Sequence, residues 1–349
     1  MEWETYITKI EPNVIAIRGY PIQKLIKERD FFDSLHLIIT GEFPDGEKKR
    51  GMEEMFGKAI SLPVNKFERF EKEDISKVLA RYLLMDKHLV SFDGEKEERA
   101  AFMAGRMVTY LSSIYSVEIN GQEFSHILSG VLSGDGNGKY ARMMEAMVIA
   151  SLDHGVTPPS VQSAVIAASV RASHEVAMAN GISAITDVHG GAGMKAAEFF
   201  KKCVEMAERE QMDIEEAARK MVMEYVEQGK RIKGLGHRIH SADPRKDALL
   251  EIARKEGIDG DAVRVAEMLE DIFYEVKGKR LPLNVDGVIG ALVADMNLKP
   301  EVAKILFIYG RVAGLSAHYF EEVENYPPMR RIDFSRAVYK GKEVKDWEP

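Results

Sequence analysis

The stretch Gly234-Leu235-Gly236-His237-Arg238-Ile239-His240-Ser241-Ala242-Asp243-Pro244-Arg245 decides how the chain is read. Asp243-Pro244 sets a capping carboxylate before a proline at the first helical position, and Leu249, Leu250, Ile252 and Ala253 form an apolar stripe that runs on to Gly257. A helix therefore starts at Pro244, with Arg245 projecting from its first turn and imidazoles and a guanidinium standing just before it. Three further segments set a polar side chain against glycine: Asp153-His154-Gly155, Val188-His189-Gly190-Gly191 and Leu283-Asn284-Val285-Asp286-Gly287. Glycine beside a side chain that needs an open approach lets the backbone turn sharply near a ligand. Four such segments read as an active site assembled from the ends of elements.

At 349 residues the chain fits one large domain plus a smaller one, and two domains create a cleft. Hydrophobic residues make up 45% and charged residues 30%, an ordinary balance for a soluble enzyme, and no apolar run approaches the roughly 20 residues of a membrane helix. Met1-Glu2-Trp3-Glu4 is acidic where a signal peptide is basic, so a cytoplasmic protein with no membrane partner is expected. The net charge of -8 argues against nonspecific nucleic-acid binding. From Lys230 to Lys246, however, six basic residues (Lys230, Arg231, Lys233, Arg238, Arg245, Lys246) face the single acid Asp243. That run is either a solvated surface or an attractor for a compact anion, and its position around His237 favours the anion. The lone Cys203 sits in an apolar helical stripe with Phe199, Phe200 and Val204 and reads as packing.

Helical spacing dominates the remainder. Ser160 after Pro158-Pro159 reads as the cap of a helix that Asn180-Gly181 stops; Asp213-Ile214-Glu215-Glu216 opens a helix to Gly229; Lys299-Pro300 starts a long helix through Phe320. Only residues around Tyr6 to Ile22, with Pro12-Asn13 as the turn, look like a β-hairpin. Arg311 lies among Phe307, Ile308, Tyr309, Val312 and Ala313, where an unpaired guanidinium carries a large desolvation cost. It calls for either an internal Asp or Glu, or a substrate carboxylate held by the planar fork of arginine.

In order along the chain, Arg18-Gly19-Tyr20-Pro21-Ile22, Asp153-His154, His189-Gly190-Gly191, Gly234-Leu235-Gly236-His237-Arg238 with Asp243-Pro244-Arg245, Asn284-Val285-Asp286 and Gly310-Arg311 resemble the citrate synthase superfamily over nearly the whole length. The resemblance implies an all-α fold with a short N-terminal β-hairpin. It further implies a large domain from residues 1–189 and 291–349, with a small domain of residues 190–290 between them. It implies condensation of acetyl-CoA with oxaloacetate, in which a carboxylate removes a methyl proton while a donor stabilises the enolate. Residue by residue, it makes Asp286 the base, His189 the donor to the thioester oxygen and His237 the donor to the ketone oxygen. His154, Arg245 and Arg311 would grip carboxylates, with Lys233, Gly236 and Arg238 beside the CoA. No cofactor is implied, since coenzyme A arrives as the substrate's thioester. A homodimer is expected, with Arg331 crossing the interface; Ile332 replaces the proline that usually follows it, which leaves Arg330 a competitor.

Gly155, Leu283-Asn284-Val285-Asp286-Gly287 and His318-Tyr319 also resemble the citryl-CoA-cleaving module of ATP-citrate lyase, although that module lacks the histidine kept here at His189. Cleavage of citryl-CoA and synthesis of 2-methylcitrate from propionyl-CoA therefore stand as alternatives. A metal is not expected, because His237 and His240, even with His189 nearby, lack the arrangement of a zinc site. His36, His88, His126 and His174 read as structural, and His318, seven residues after Arg311, falls on the helix face that would line the substrate pocket.

Overall fold

A computed structural model describes every residue except 1, 2, 68, 71, 72, 122, 135–137, 331–334, 336, 337 and 342–349. Among the described residues, three strands precede sixteen helices. The strands are β1 (Thr8–Glu11), β2 (Val14–Ile17) and β3 (Tyr20–Pro21). The first ten helices are α1 (Ile22–Glu28), α2 (Phe31–Thr40), α3 (Gly46–Ser61), α4 (Ile75–Met85), α5 (Lys87–Val90), α6 (Lys96–Tyr115), α7 (Phe124–Ser133), α8 (Ala141–Ala150), α9 (Pro159–Ser169) and α10 (His174–Ser183). They are followed by α11 (Ala192–Glu210), α12 (Ile214–Glu227), α13 (Pro244–Lys255), α14 (Asp261–Lys277), α15 (Val285–Asp295) and α16 (Glu301–Asn325). No helix among the described residues is long and apolar enough to cross a membrane.

The expected hairpin is present and carries a third strand. Thr8 pairs with Ile17 and Ile10 with Ile15 across an antiparallel register, Ala16 pairs with Pro21, and Asn13 closes the β1–β2 turn at φ +61°. In α16, residues from Val302 to Glu322 are buried throughout. A helix covered on all sides belongs at the centre, and α16 packs on α2, α6, α8, α9, α10, α11 and α15. Around α11, a second group forms from α12, α14 and α15, while α13 bridges from α15 to α1 and α8. Cys203 is buried in α11, and burial pushes its thiol up to about 12, which fits packing rather than chemistry.

Local signals fixed several boundaries. Asp243 caps α13 by accepting from the amide of Arg245, and Asp213 caps α12 by accepting from that of Glu215. One expectation needs correction: the helix from Ser160 is two helices, broken at 170–173, and Asn180-Gly181 does not stop the second. Arg171 adopts φ +60° there, and its guanidinium reaches the Tyr326 carbonyl at 2.7 Å, so contact with the end of α16 holds the break open. Gly181 is instead a packing residue, since a Cβ there would lie 2.9 Å from the Leu315 side chain of α16. Ser160 is likewise no cap. Pro158 holds that position, which leaves the Ser160 hydroxyl to meet His189 instead.

Candidate active site

Two chain segments are stitched together before any side chain is considered. The Gly236 amide donates to the Pro282 carbonyl at 2.7 Å, the Asn284 amide to the Gly234 carbonyl at 2.9 Å, and the Asn284 side chain to the Gly236 carbonyl at 2.7 Å. Asp243 ties in the starts of α13 and α15, accepting from the Arg245 amide at 3.1 Å and the Val285 amide at 2.9 Å. Its carboxylate also takes a two-point grip from Arg245, at 2.9 Å through Nε and 2.7 Å through Nη2. Burial alone would raise the Asp243 carboxyl, but Arg245 and the amide bonds outweigh it and hold it well below the usual range. Arg245 is thus already matched by a carboxylate, with Nη1 on the Ala150 carbonyl at 3.3 Å.

His237 carries a decisive detail. Its Nδ1 accepts from the amides of Ile239, at 3.1 Å, and His240, at 3.0 Å. A neutral imidazole has one N–H, so the proton must sit on Nε2, which becomes a fixed donor. His189 Nε2 lies 2.9 Å from the Ser160 hydroxyl. His154 is partly buried and its Nε2 has no hydrogen-bond partner. Burial first, then Arg245 and Arg311, lowers His154 to about 3. Burial with Arg311 and Arg238 lowers His189 to about 4, and burial with His240 lowers His237 to about 4. All three rings are neutral at pH 7.

One ring nitrogen from each of His154, His237 and His240 lies within 4.8 Å of the others. The third imidazole beside His237 and His240 is therefore His154, not His189. Gly155, Gly190 and Gly236 all take positive φ, at +70°, +86° and +98°, so the glycines bend the chain at each histidine as the sequence suggested. For Gly155 this supplies a backbone reason, independent of any reaction direction.

Arg311 is buried, and no described carboxylate lies within ion-pair distance of it. Its Nη1 donates to the Ser151 carbonyl at 2.6 Å, its Nε has no partner, and its guanidinium lies 4.6 Å from the Phe307 ring centroid. Gly310 allows this approach, since a Cβ there would lie 2.5 Å from the Val148 carbonyl. Burial lowers Arg311 to about 10, against the pull of Asp153 and Asp286. Asp286, in the first turn of α15, makes no hydrogen bond to a described residue. Burial raises its pKa while Arg245 and Arg311 oppose the rise. The same two guanidiniums act on His154, and one acts on each of His189 and His237, so base and imidazoles share one field.

His318 meets Asp153, the sequence neighbour of His154, in keeping with the indirect place its helical position suggested. It is buried behind His154, with Nε2 3.2 Å from the Asp153 carboxylate and Nδ1 3.8 Å from Glu321. Burial works against its charge, but Asp153 and Glu321 prevail and raise it to about 9, while Asp153 falls well below the carboxylate range. A group raised in the folded state contributes stability below its unfolded pKa and loses it as pH climbs through the folded value. His318→Gln should therefore lower the urea midpoint at about pH 6, and the deficit should shrink by about pH 9.5. A deficit equal at both pH values would rule out the ion pair.

Lys233 and Arg238 are exposed and, with Lys230 and Arg231, have no ion-pair partner among the described residues. Arg245 and Lys246 leave the basic run, paired to Asp243 and Glu270. Arg330 is held by Glu322 and stacks on Trp3 and Tyr326, its guanidinium 4.7 Å from each ring. Arg331, the other residue expected to cross to a partner, lies outside the described residues. His36, bonded to the Glu42 carbonyl at 2.7 Å, and His174, bonded to Ser316 at 2.9 Å, are structural as read. Sequence reasoning missed Ser160 and Asn13. The first was visible only as a helix start and the second only as a turn.

Fold and site together define a class: an all-α protein with a short N-terminal sheet, in which neutral imidazoles lie near buried guanidiniums. The family model described as citrate synthase, C-terminal domain, matches residues 2–332, and the chain belongs to the citrate synthase family. Citrate synthase from Corynebacterium glutamicum is 28% identical over 393 residues, covering 99% of this chain and 85% of that protein. The ternary complex of carboxymethyl coenzyme A and oxaloacetate with citrate synthase from Thermoplasma acidophilum has a TM-score of 0.80 at 22% identity, covering 100% and 96%. Citryl-CoA lyase from Hydrogenobacter thermophilus has a TM-score of 0.55 at 27% identity, covering 99% and 97%.

Proposed function

We propose that the chain condenses acetyl-CoA with oxaloacetate to citryl-CoA and hydrolyses that thioester to citrate and CoA. The observation that carries this reading is the tautomer of His237: two backbone amides occupy Nδ1 and leave Nε2–H to polarise a ketone oxygen. Asp286 removes the methyl proton of acetyl-CoA. His189 donates to the thioester oxygen through Nδ1–H, the tautomer in which Nε2 accepts from the Ser160 hydroxyl 2.9 Å away. The enolate carbon then attacks the polarised ketone, and the alkoxide takes the proton that His237 presents. Arg311 and His154 meet the carboxylates of oxaloacetate; Arg245 joins them by sharing its fork with Asp243. Lys233, Gly236 and Arg238 flank the CoA. Residues 190–290 serve as a small domain that closes over oxaloacetate and completes the acetyl-CoA site. Arg331 is assigned to the partner's site in a homodimer.

Cleavage of citryl-CoA is the second reading, favoured by the 27% identity to the Hydrogenobacter lyase. The test pairs two incubations: acetyl-CoA or propionyl-CoA with oxaloacetate, scored for free CoA, and citryl-CoA, scored for oxaloacetate. Free CoA from acetyl-CoA supports synthesis, from propionyl-CoA alone the 2-methylcitrate route, and oxaloacetate without CoA-releasing hydrolysis the lyase.

Because His189 and His237 stay neutral down to about 4, neither ring should contribute a limb to kcat at the ordinary imidazole pKa of about 6.5. Its acidic limb belongs to Asp286, which must be ionised and whose pKa is raised, so activity falls as pH drops. An acidic limb at the imidazole value that does not move in Asp286→Glu would overturn the neutral-donor roles.

A further inference from the structure

The cluster of His154, His237 and His240 has the spacing of a metal site, and the hydrogen bonds around it say otherwise. A metal-bound imidazole gives one nitrogen's lone pair to the ion and uses the other as an N–H donor. Here the arrangement is reversed. His237 Nδ1 accepts from two amides, and His240 Nδ1 accepts from the Asn13 amide at 2.9 Å. Each ring therefore carries its proton on Nε2, and a cation at the cluster centre would meet N–H groups. His237 and His240 are therefore donors, and the cluster suits oxygen.

We propose that His240 is a further substrate-binding residue, donating its Nε2–H to a carboxylate oxygen of the bound keto acid, and that Asn13 is the positioning residue that fixes its tautomer and place. This rests on the oxaloacetate reading above. His240 is 2% exposed, and its Nε2 has no partner. Its ring lies 4.3 Å from that of His237 and 5.8 Å from that of His154, between centroids. His154 Nε2 and Arg311 Nε are likewise buried without partners. Buried donors left open in this way are met by a ligand whose oxygens reach them together. A dicarboxylic keto acid presents oxygen at both ends and at its ketone, where His237 takes the central oxygen and His240 an adjacent one.

Asn13 is suited to the positioning role by its own bonds. At the apex of the β1–β2 turn, its Oδ1 accepts from the amides of Ser241 and Ala242, each at 2.9 Å. Its Nδ2 donates to the Ser241 hydroxyl at 2.9 Å, while its backbone N–H caps the His240 ring. The hairpin thus clamps residues 240–242 from a segment more than two hundred positions away in sequence.

Calorimetry with oxaloacetate on the full-length protein tests this. His240→Phe should raise the oxaloacetate Kd roughly ten- to a hundredfold, the loss of one hydrogen bond to a charged group, and His240→Gln should recover part of it. Asn13→Gly keeps the amide and the positive φ but removes the clamp, and should raise KM for oxaloacetate while leaving KM for acetyl-CoA unchanged. A wild-type protein that binds oxaloacetate beside a His240→Phe variant of unchanged affinity would overturn the His240 role and leave the functional reading standing. A wild-type protein that binds none would overturn both. Nitrogen-15 NMR of the wild-type imidazoles needs no variant: His240 should carry its proton on Nε2, and that proton should shift downfield when oxaloacetate is added. A proton on Nδ1, or visible d–d bands when cobalt(II) is added, would overturn the donor assignment.

Discussion

Asp286→Asn is expected to lower turnover about a hundred- to ten-thousandfold while leaving the oxaloacetate Kd within about twofold. The change keeps shape and removes only the capacity to take a proton. Because Asp286 makes no hydrogen bond to a described residue, no internal network is lost with its charge. Burial opposes ionisation at this position, so the folded protein should be no less stable with the amide. Arg245 and Arg311 both feel the carboxylate. Neutralising it strengthens their positive field, so oxaloacetate binding should hold or tighten. Turnover is read from free CoA and affinity from calorimetry. A parallel loss of both would make Asp286 a binding or structural group and leave the reaction without its base.

The parts of the fold legible in sequence were those set by neighbours along the chain. Asp243-Pro244 and Asp213 announced α13 and α12 because a side chain capping an amide two residues on needs nothing from the rest of the molecule. Pro12-Asn13 announced the hairpin for the same reason. The break between α9 and α10 was hidden: no glycine or proline stands in 170–173, and the left-handed Arg171 is held by the Tyr326 carbonyl, a contact that exists only after folding. The site divides along the same line. Residue types at His154, His189, His237 and Asp286 suggested chemistry, but the donor states of His189, His237 and His240 depend on Ser160, on local amides and on Asn13. The pairing of Arg245 with Asp243, only two positions away, was within reach of sequence reasoning. It went unread because a capping carboxylate and a substrate-binding guanidinium were assigned separately.

Arg311→Leu separates the two accounts of a buried guanidinium, since they predict opposite signs for the stability of the unliganded protein. Were Arg311 paired with an internal carboxylate, its removal would strand that charge and cost about 3–5 kcal/mol. No described carboxylate lies within ion-pair distance, Nε is unpartnered, and burial has lowered the group to about 10. The nearby Asp153 keeps His318 as its partner in the variant. A leucine of smaller volume and no charge should therefore leave the ligand-free thermal midpoint equal or higher. Oxaloacetate affinity should fall roughly thirty- to several-thousandfold, the range for truncating one side of a buried charged pair at about 2–5 kcal/mol. Ligand stabilisation follows mass action, so the rise in midpoint that saturating oxaloacetate gives the wild type should shrink to about a third or less in the variant at the same concentration. Thermal scans with and without oxaloacetate check both halves. A variant that melts lower without ligand but keeps its oxaloacetate-dependent rise would assign Arg311 to the core and remove it from the carboxylate site.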